Sequence, residues 1–473
     1  MEMMNEDPLA LLPEIILAVA AVAALLLGSY LPRQRQWPVR LLAAFACAAG
    51  LAATAAGWGA PARTVFGGSY AIDVGTNAGR VVVLAATVLA LGVSAREFRS
   101  APRESEWYVL VLLAALGTIV LTGANDLLLL VAAYLLASIP LYAIAGFAKD
   151  DSGTEGALKF YLLGALLGII MLAGATVLFG VGGSTGYADL QTALGAAPDA
   201  AVAVGFVGVF AGLLFKMGAV PAHFWVPDVT EGTRPPAAAF LTTIPKIGGV
   251  VAAYRLAAAA LTGSHVNWAL LTAIVAAVTM TLGNLAAFFQ RDVRRLLGYS
   301  TISQVGYLLM AVAVAGRSTL ALPSMLFYLG AYALTNLGAF AVACALPDRR
   351  TIDDYRGLLR RHPWLALSLV VCLLGLVGTP PTAVFAGKLT IFTAAFDGGY
   401  AWLVVVAAVN TVASLFYYLR WVAPAVRRSA EPDTAAPGGW AAATAYVTAA
   451  GSLVLGPLAG LALAALHGGL ASR

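Results

Sequence analysis

The sequence predicts an all-α polytopic membrane protein of about fourteen transmembrane helices, forming one domain over residues 1–473. Three observations carry this. Of the 473 residues, 61% are hydrophobic and only 11% charged, whereas soluble globular proteins have about 25% charged residues; a water-soluble enzyme is excluded. Mean hydropathy is +0.87. Apolar runs of 17 to 25 residues recur from Leu11 to Leu470, each long enough to cross a hydrocarbon core of about 30 Å as a helix. The loops between them are short and show no composition shift that would mark a linker.

In chain order the runs lie near 11–30, 38–57, 79–95, 107–123, 125–147, 156–180 and 201–220, then near 237–261, 266–289, 294–315, 321–345, 364–396, 400–424 and 438–468. The first follows an acidic segment, Glu2 to Asp7, instead of the basic start of a cleavable signal peptide. With the N-terminus outside, about 19 Lys and Arg residues fall on inner loops, from Arg33 to Arg428, against Arg63, Arg80, Arg317 and Arg473 outside. The positive-inside rule then places both termini on the outer, periplasmic side of the cell's inner (plasma) membrane. Inner-face anchoring accounts for most of the net charge of +5, and no nucleic-acid patch is seen. Cys47, Cys344 and Cys372 sit in apolar runs without CxxC or Cys/His spacing. They read as packing residues, with neither a metal site nor a disulfide framework.

The lysines are distributed differently from the arginines. There are five, and Lys159, Lys216, Lys246 and Lys388 fall within apolar spans. A lysine at the centre of a spanning helix costs roughly 2.5–3.5 kcal/mol on insertion scales, so such residues usually face a wet interior. Burial can lower an ammonium pKa by several units, whereas a guanidinium stays charged, so buried lysines suit proton handling. Some can instead snorkel to an interface or pair with a carboxylate. That reading is as strong as the functional one for Lys159, near the inner end of its helix. Arg255, in the outer half of its span, reads as an anchor.

Two of the spans carry breaks. Phe215-Lys216-Met217-Gly218-Ala219-Val220-Pro221 puts a lysine about a turn before a proline, and Gly378-Thr379-Pro380-Pro381 precedes Lys388 by about two turns. Proline removes a helix hydrogen bond and frees a carbonyl that protein groups or water must satisfy in the membrane. The breaks lie in helices 7 and 12, an odd offset of five spans, so they cross in opposite directions. That is the arrangement of inverted repeats with an ion site near the midplane. Two five-helix repeats, 107–261 and 266–424, are expected.

Particular segments carry a family resemblance. LLFKMGAVPAHFWVPDVTEGTRPPAAAFLTTIPKIGG at 213–249, NLAAFFQRDVRRLLGYSTISQVGYLLMA at 284–311 and GLVGTPPTAVFAGKLTIFTAAF at 375–396 resemble subunit N of respiratory complex I, the proton-translocating NADH:quinone oxidoreductase. So do LLPEIIL at 11–17, WYVLVLLAALGTIVLTGAND at 107–126 and SLFYYLRWV at 414–422. The Ile-Pro-Lys ending at Lys246 favours N over the paralogous subunits L and M, which look like a histidine-bearing ALIHAATM segment there. The chain also lacks the long lateral helix of L.

The resemblance implies that protons pass through water-filled half-channels, coupled to quinone reduction in partner subunits. Lys216 then corresponds to the proton-loading lysine of helix 7, Lys246 to the bridging lysine of helix 8, and Lys388 to the lysine of broken helix 12. Lys159 with Glu155 matches an EAxxK-type start to helix 6, and His223, whose imidazole titrates near 6.5 when unperturbed, is a candidate relay. Tyr299, Ser300, Ser303 and Tyr307 are candidate water-wire donors, or equally interhelical hydrogen-bond partners. Two positions depart from the family: Leu135 stands where a buried glutamate is expected, and Gln304 where the tenth helix often has a histidine. No cofactor is expected in this chain; quinone, NADH, flavin and iron–sulfur clusters would belong to partner subunits. The implied partners are the antiporter-like subunit M, the small subunits K and J, and the lipid bilayer. Two alternatives stay open: a cation/proton antiporter subunit, or a non-pumping scaffold of the membrane arm.

Overall fold

The computed structural model describes residues 7–99, 101–427 and 437–471. Arg428, Arg473 and the acidic residues Glu2 and Glu6 lie outside the described residues. A 3-10 turn, Pro8–Leu11, leads into α1 (Leu12–Tyr30) and α2 (Trp37–Ala56), followed by a hairpin of β1 (Arg63–Val65) and β2 (Tyr70–Ile72). Then come α3 (Val74–Ser94), α4 (Glu104–Gly123), α5 (Leu127–Ala145), α6 (Asp151–Gly182), the short α7 (Tyr187–Ala193), α8 (Asp199–Met217), α9 (Trp225–Gly232) and α10 (Pro235–Ala259). The second half runs through α11 (Trp268–Ala287), α12 (Val293–Ala313), α13 (Ala321–Ala345), the turn-like α14 (Leu358–Arg361), α15 (Pro363–Val377), α16 (Ala383–Asp397), α17 (Ala401–Val426), α18 (Gly439–Leu455) and α19 (Ala459–Ala465).

Among the described residues, twelve helices are long and apolar enough to cross a membrane, and the bent pair α18/α19 makes a thirteenth. The remaining expected run, 364–396, is divided into α15, apolar but only 15 residues long, and α16, so that neither is by itself long enough to cross. Among the described residues the fold is therefore nearly all-helical, with one small antiparallel hairpin. Its pairs, Arg63 with Ile72 and Val65 with Tyr70, are too short to register as alternation in the sequence. Ala471 bonds Asp73 at the start of α3, and Ala10 bonds Arg80 on the same helix, so the first and last described segments lie at one face, here the terminal face; the opposite face holds most of the arginine-bearing loops.

Several helices begin where an acidic residue caps them. Asp73 accepts from Thr76 N at 3.1 Å, Asp126 from Leu128 N at 2.7 Å, Asp150 from Gly153 N at 2.8 Å and Asp292 from Arg294 N at 2.8 Å. A carboxylate there satisfies donors that have no intrahelical partner and complements the helix dipole. Because Asp73 is the cap, α3 starts at Val74, five residues before the expected 79.

The last span also differs from the continuous run expected at 438–468: α18 and α19 meet at 83°. Pro457 at the junction cannot donate to the helix, and its ring obstructs the preceding turn. The bend is also a close contact, since a side chain at Gly456 would come 1.8 Å from the carbonyl oxygen of Pro381, in the break of α15/α16.

The centre of the bundle is formed by α10, α12 and α13, which are buried along almost their whole apolar length, while α1, α2, α6 and α17 lie at the periphery. Close approach of α6 to α8 rests on small residues: a Cβ at Gly174 would be 2.6 Å from Gly205 O, and one at Gly208 would be 2.8 Å from Gly174 Cα. Such stripes let helix backbones meet where lipid offers no hydrophobic drive for association. The result holds the end of α8, with Lys216, against α10.

Candidate functional site

The interruption of helix 7 sets the first part of the site. The α8 helix ends at Met217, and Gly218 follows at φ 75°, a left-handed conformation that favours glycine. The carbonyls of Leu214 and Phe215 are taken up by the turn, from Ala219 N at 2.9 Å and Gly218 N at 3.1 Å. The carbonyl of Met217 is instead capped by Lys246 Nζ at 2.5 Å. Lys216, one residue earlier, points towards α5. Its Nζ donates to Ser138 Oγ at 2.5 Å and lies 4.9 Å from the centre of the Tyr134 ring.

Helix 12 repeats the arrangement. The α15 helix ends at Val377, again before a left-handed glycine, Gly378 at φ 90°. Gly378 N and Thr379 N reach back to Leu374 O, and Gly378 N also to Gly375 O. The next two carbonyls are capped from α16: Lys388 Nζ lies 3.2 Å from Leu376 O and 2.9 Å from Val377 O, and 4.1 Å from the Tyr307 ring centre. Each broken end thus presents carbonyls to a lysine. Lys216, Lys246 and Lys388 are all at most 3% exposed. Among the described residues, none of the three has a carboxylate within ion-pair distance. Ammonium groups held by carbonyls, a hydroxyl and ring faces keep their hydrogen bonds without being locked into ion pairs.

A buried polar line joins the two breaks. On α10, Thr242 O accepts from Tyr332 at 2.9 Å, and Thr243 Oγ1 accepts from Asn336 Nδ2 at 2.8 Å. Tyr332 also meets Thr301 of α12 at 3.0 Å. Gln304, a turn further on, donates to Leu376 O at 2.9 Å and accepts from Tyr328. Ser300 pairs with Tyr418 at 2.5 Å, and Tyr417 donates to Asn284, which in turn donates to Asn410. Ser303 is buried with no partner among the described residues.

The sequence did not single out Ser138, Tyr134, Thr242, Thr243, Tyr328, Tyr332, Asn336 or Asn284. A signal existed: Tyr328, Tyr332 and Asn336 are spaced i, i+4, i+8 on the nearly apolar α13, one polar face in a buried helix.

Other expected residues fall elsewhere. Lys159 is not part of the buried row. Its side chain is 46% exposed at the arginine-rich face, paired with Glu155 at 2.7 Å and Asp228 at 2.9 Å. Asp228 also accepts from Arg295 at 2.9 Å, beside a cavity of about 300 Å³. Tyr299 stands at this end too, with Arg295 over its ring at 5.8 Å, while Ser300, Ser303 and Tyr307 lie inside. His223 is buried just past the helix 7 break, not on an open loop, and its Nδ1 has no partner among the described residues.

Leu135 is 47% exposed on the outer side of α5. The α5 side chains that meet Lys216 are Ser138 and Tyr134. The expectation of a buried position beside the lysine is therefore corrected: Leu135 is 100° around the helix from Tyr134, on the exposed flank of the face through which Tyr134 and Ser138 meet Lys216.

The expectation for Arg255 is also corrected. It is no lipid anchor: it is fully buried, its two terminal nitrogens 2.7 and 2.8 Å from the carboxylate of Asp73. Arg80, near the start of α3, is buried and paired with Glu14 at 2.7 and 2.8 Å.

The cluster at Asp228 makes a pH prediction. Its partial burial raises the carboxyl pKa, but hydrogen bonds and charge from Lys159 and Arg295 outweigh this and hold it below its ordinary 3.8. A depressed folded-state pKa contributes stability above the ordinary value, lost as pH falls through the folded one. The thermal stability gap between wild type and Asp228→Asn should thus be present at pH 7 and close as pH falls below the ordinary carboxyl value of 3.8. A gap that stays constant with pH would show that the carboxylate charge is not what is used.

These features match known proteins. Residues 124–414 match the family described as NADH:quinone oxidoreductase/Mrp antiporter, transmembrane. The chain belongs to that family. It is an antiporter-like membrane subunit, 57% identical to NADH-quinone oxidoreductase subunit N 1 of Streptomyces griseus subsp. griseus across 98% of both chains. A chain of respiratory complex I from Thermus thermophilus, solved with bound aureothin, superposes with a TM-score of 0.81 at 33% identity, over 97% of this chain and all of that one. A chain of the Mrp complex from Dietzia superposes at 0.85 over 98% and 97%, but at 21% identity, which shows a shared fold alone.

Proposed function

We propose that this subunit translocates protons across the plasma membrane, within a complex I-like NADH:quinone oxidoreductase whose redox reactions occur in partner subunits. The observation that carries this is the pair of broken helix ends, each seating a buried lysine on carbonyls with no carboxylate nearby. A proton reaching Lys216 passes to Lys246 and then along the Thr242–Tyr332–Thr301 line to Lys388, from which it leaves. His223 and the Lys159 cluster serve the arginine-rich side. The repeats 107–261 and 266–424 supply one break each, in opposite orientation. Quinone, NADH, flavin and iron–sulfur clusters reside in other subunits of the complex, among which M, K and J are the neighbours. Both termini face the periplasm, consistent with the arginine distribution.

The test uses Lys216 in membrane vesicles containing the whole complex, with proton uptake measured against electron transfer. Lys216→Ala should lower protons moved per electron with the complex still assembled. Lys216→Arg should not restore them, because a guanidinium keeps its charge but does not give up its proton. Full coupled translocation with arginine at 216 would show that only the charge is used there. Sodium dependence of the translocation would point instead to cation/proton antiport.

A further inference from the structure

The broken end of α15 carries more donors than its lysine supplies. Leu376 O accepts from two side chains on different helices, Gln304 Nε2 at 2.9 Å and Lys388 Nζ at 3.2 Å, whereas Val377 O accepts from Lys388 alone among the described residues, at 2.9 Å. Gln304 is itself aimed. Tyr328 donates its hydroxyl to Gln304 Oε1, which leaves the amide NH2 directed at the carbonyl. Both Gln304 and Tyr328 are buried, so no bulk water is at hand to replace either bond.

At the break of helix 7 the doubled donors fall on a carbonyl that no lysine touches, Phe215 O, which accepts from Trp225 Nε1 at 3.0 Å and Gly218 N at 3.1 Å. There the carbonyl of Met217 has Lys246 as its only donor among the described residues.

We propose that Gln304, held by Tyr328, is a positioning residue that allows Lys388 to leave its seat during proton transfer. A buried carbonyl without a donor is costly, so a lysine that is the only cap of a helix end is pinned there. Sharing Leu376 O removes part of that constraint. When Lys388 swings away, Leu376 O keeps the Gln304 bond and only Val377 O must find another donor, so one carbonyl and not two is exposed by the movement. The inference rests on Lys388 carrying protons.

Gln304→Met keeps the side-chain length and removes the donor. In vesicles containing the whole complex, it should lower protons translocated per electron several-fold, with electron transfer and assembly retained. Gln304→His, whose ring N–H can donate from near the same place, should recover most of the ratio. Tyr328→Phe, which only frees the amide to turn, should lower it less and provides the test if the methionine variant fails to assemble. Lys388→Ala separates the two ideas. If it leaves translocation intact, Lys388 carries no protons; if it abolishes translocation while Gln304→Met and Tyr328→Phe both leave the ratio at the wild-type value, the role given to Gln304 is wrong. Loss in Gln304→Met without any recovery by histidine would also overturn it, since the effect would then be one of packing.

Discussion

Arg255→Leu, with Asp73 left in place, should nearly eliminate the assembled protein from membranes. The pair is fully buried, and Arg255 bonds both carboxylate oxygens of Asp73, the hydroxyl of Thr76 at 3.0 Å and the carbonyl of Thr122 at 3.2 Å. Removing one partner of such a pair leaves an uncompensated buried charge, at about 3–5 kcal/mol, against a total stability of roughly 5–15 kcal/mol for a typical protein. Adding Asp73→Asn to the leucine variant should recover much of the yield, because the charge is gone while an oxygen remains to cap α3 at Thr76. Detergent extraction followed by size-exclusion chromatography and thermal unfolding measures both. Wild-type yield and melting temperature in the single variant would mean that water or lipid headgroups reach Asp73.

The second large effect is expected at Lys246. Lys246→Gln retains an N–H donor for Met217 O but has no proton to exchange, so the end of α8 stays capped. Proton translocation should fall at least tenfold, on the low side of the roughly 10²–10⁴ that a positioned proton-transfer group typically contributes. Lys246→Leu should lose translocation and stability together, since the carbonyl is then orphaned. Wild-type translocation in the glutamine variant would reduce Lys246 to a helix cap.

Fold and site were legible to different depths. The spans were legible because crossing a membrane demands long apolar runs whatever the tertiary structure, and Pro221 and Pro381 marked the breaks through a backbone rule that operates locally. Lys216, Lys246 and Lys388 are legible as interior residues for a similar reason: a charge in an apolar run stands out. What the breaks do with their carbonyls was not legible, because Met217 O meets Lys246 and Leu376 O meets Gln304 only after helices far apart in sequence have packed. Leu135 was misjudged because register along α5 decides which side faces in, and an almost wholly apolar helix gives no amphipathic signal to set it. Arg255 was taken for an anchor because its partner Asp73 lies 182 residues away.

That separation matters during synthesis. At about 5–20 residues per second, the ribosome takes roughly 10–40 s to proceed from Asp73 to Arg255, so the carboxylate must wait in the water layer of the nascent membrane segment until α10 arrives. Glu14 and Arg80 are only 66 residues apart and can close their pair while the fourth span is still being made. The first three helices can therefore set as a unit early. The last ligand of Asp73 is the backbone N–H of Ala471, 398 residues downstream and 2.9 Å away once folded. The terminal face is consequently finished in the reverse of the usual order: one of the earliest carboxylates to be translated obtains its full set of donors only when the ribosome has passed every membrane crossing.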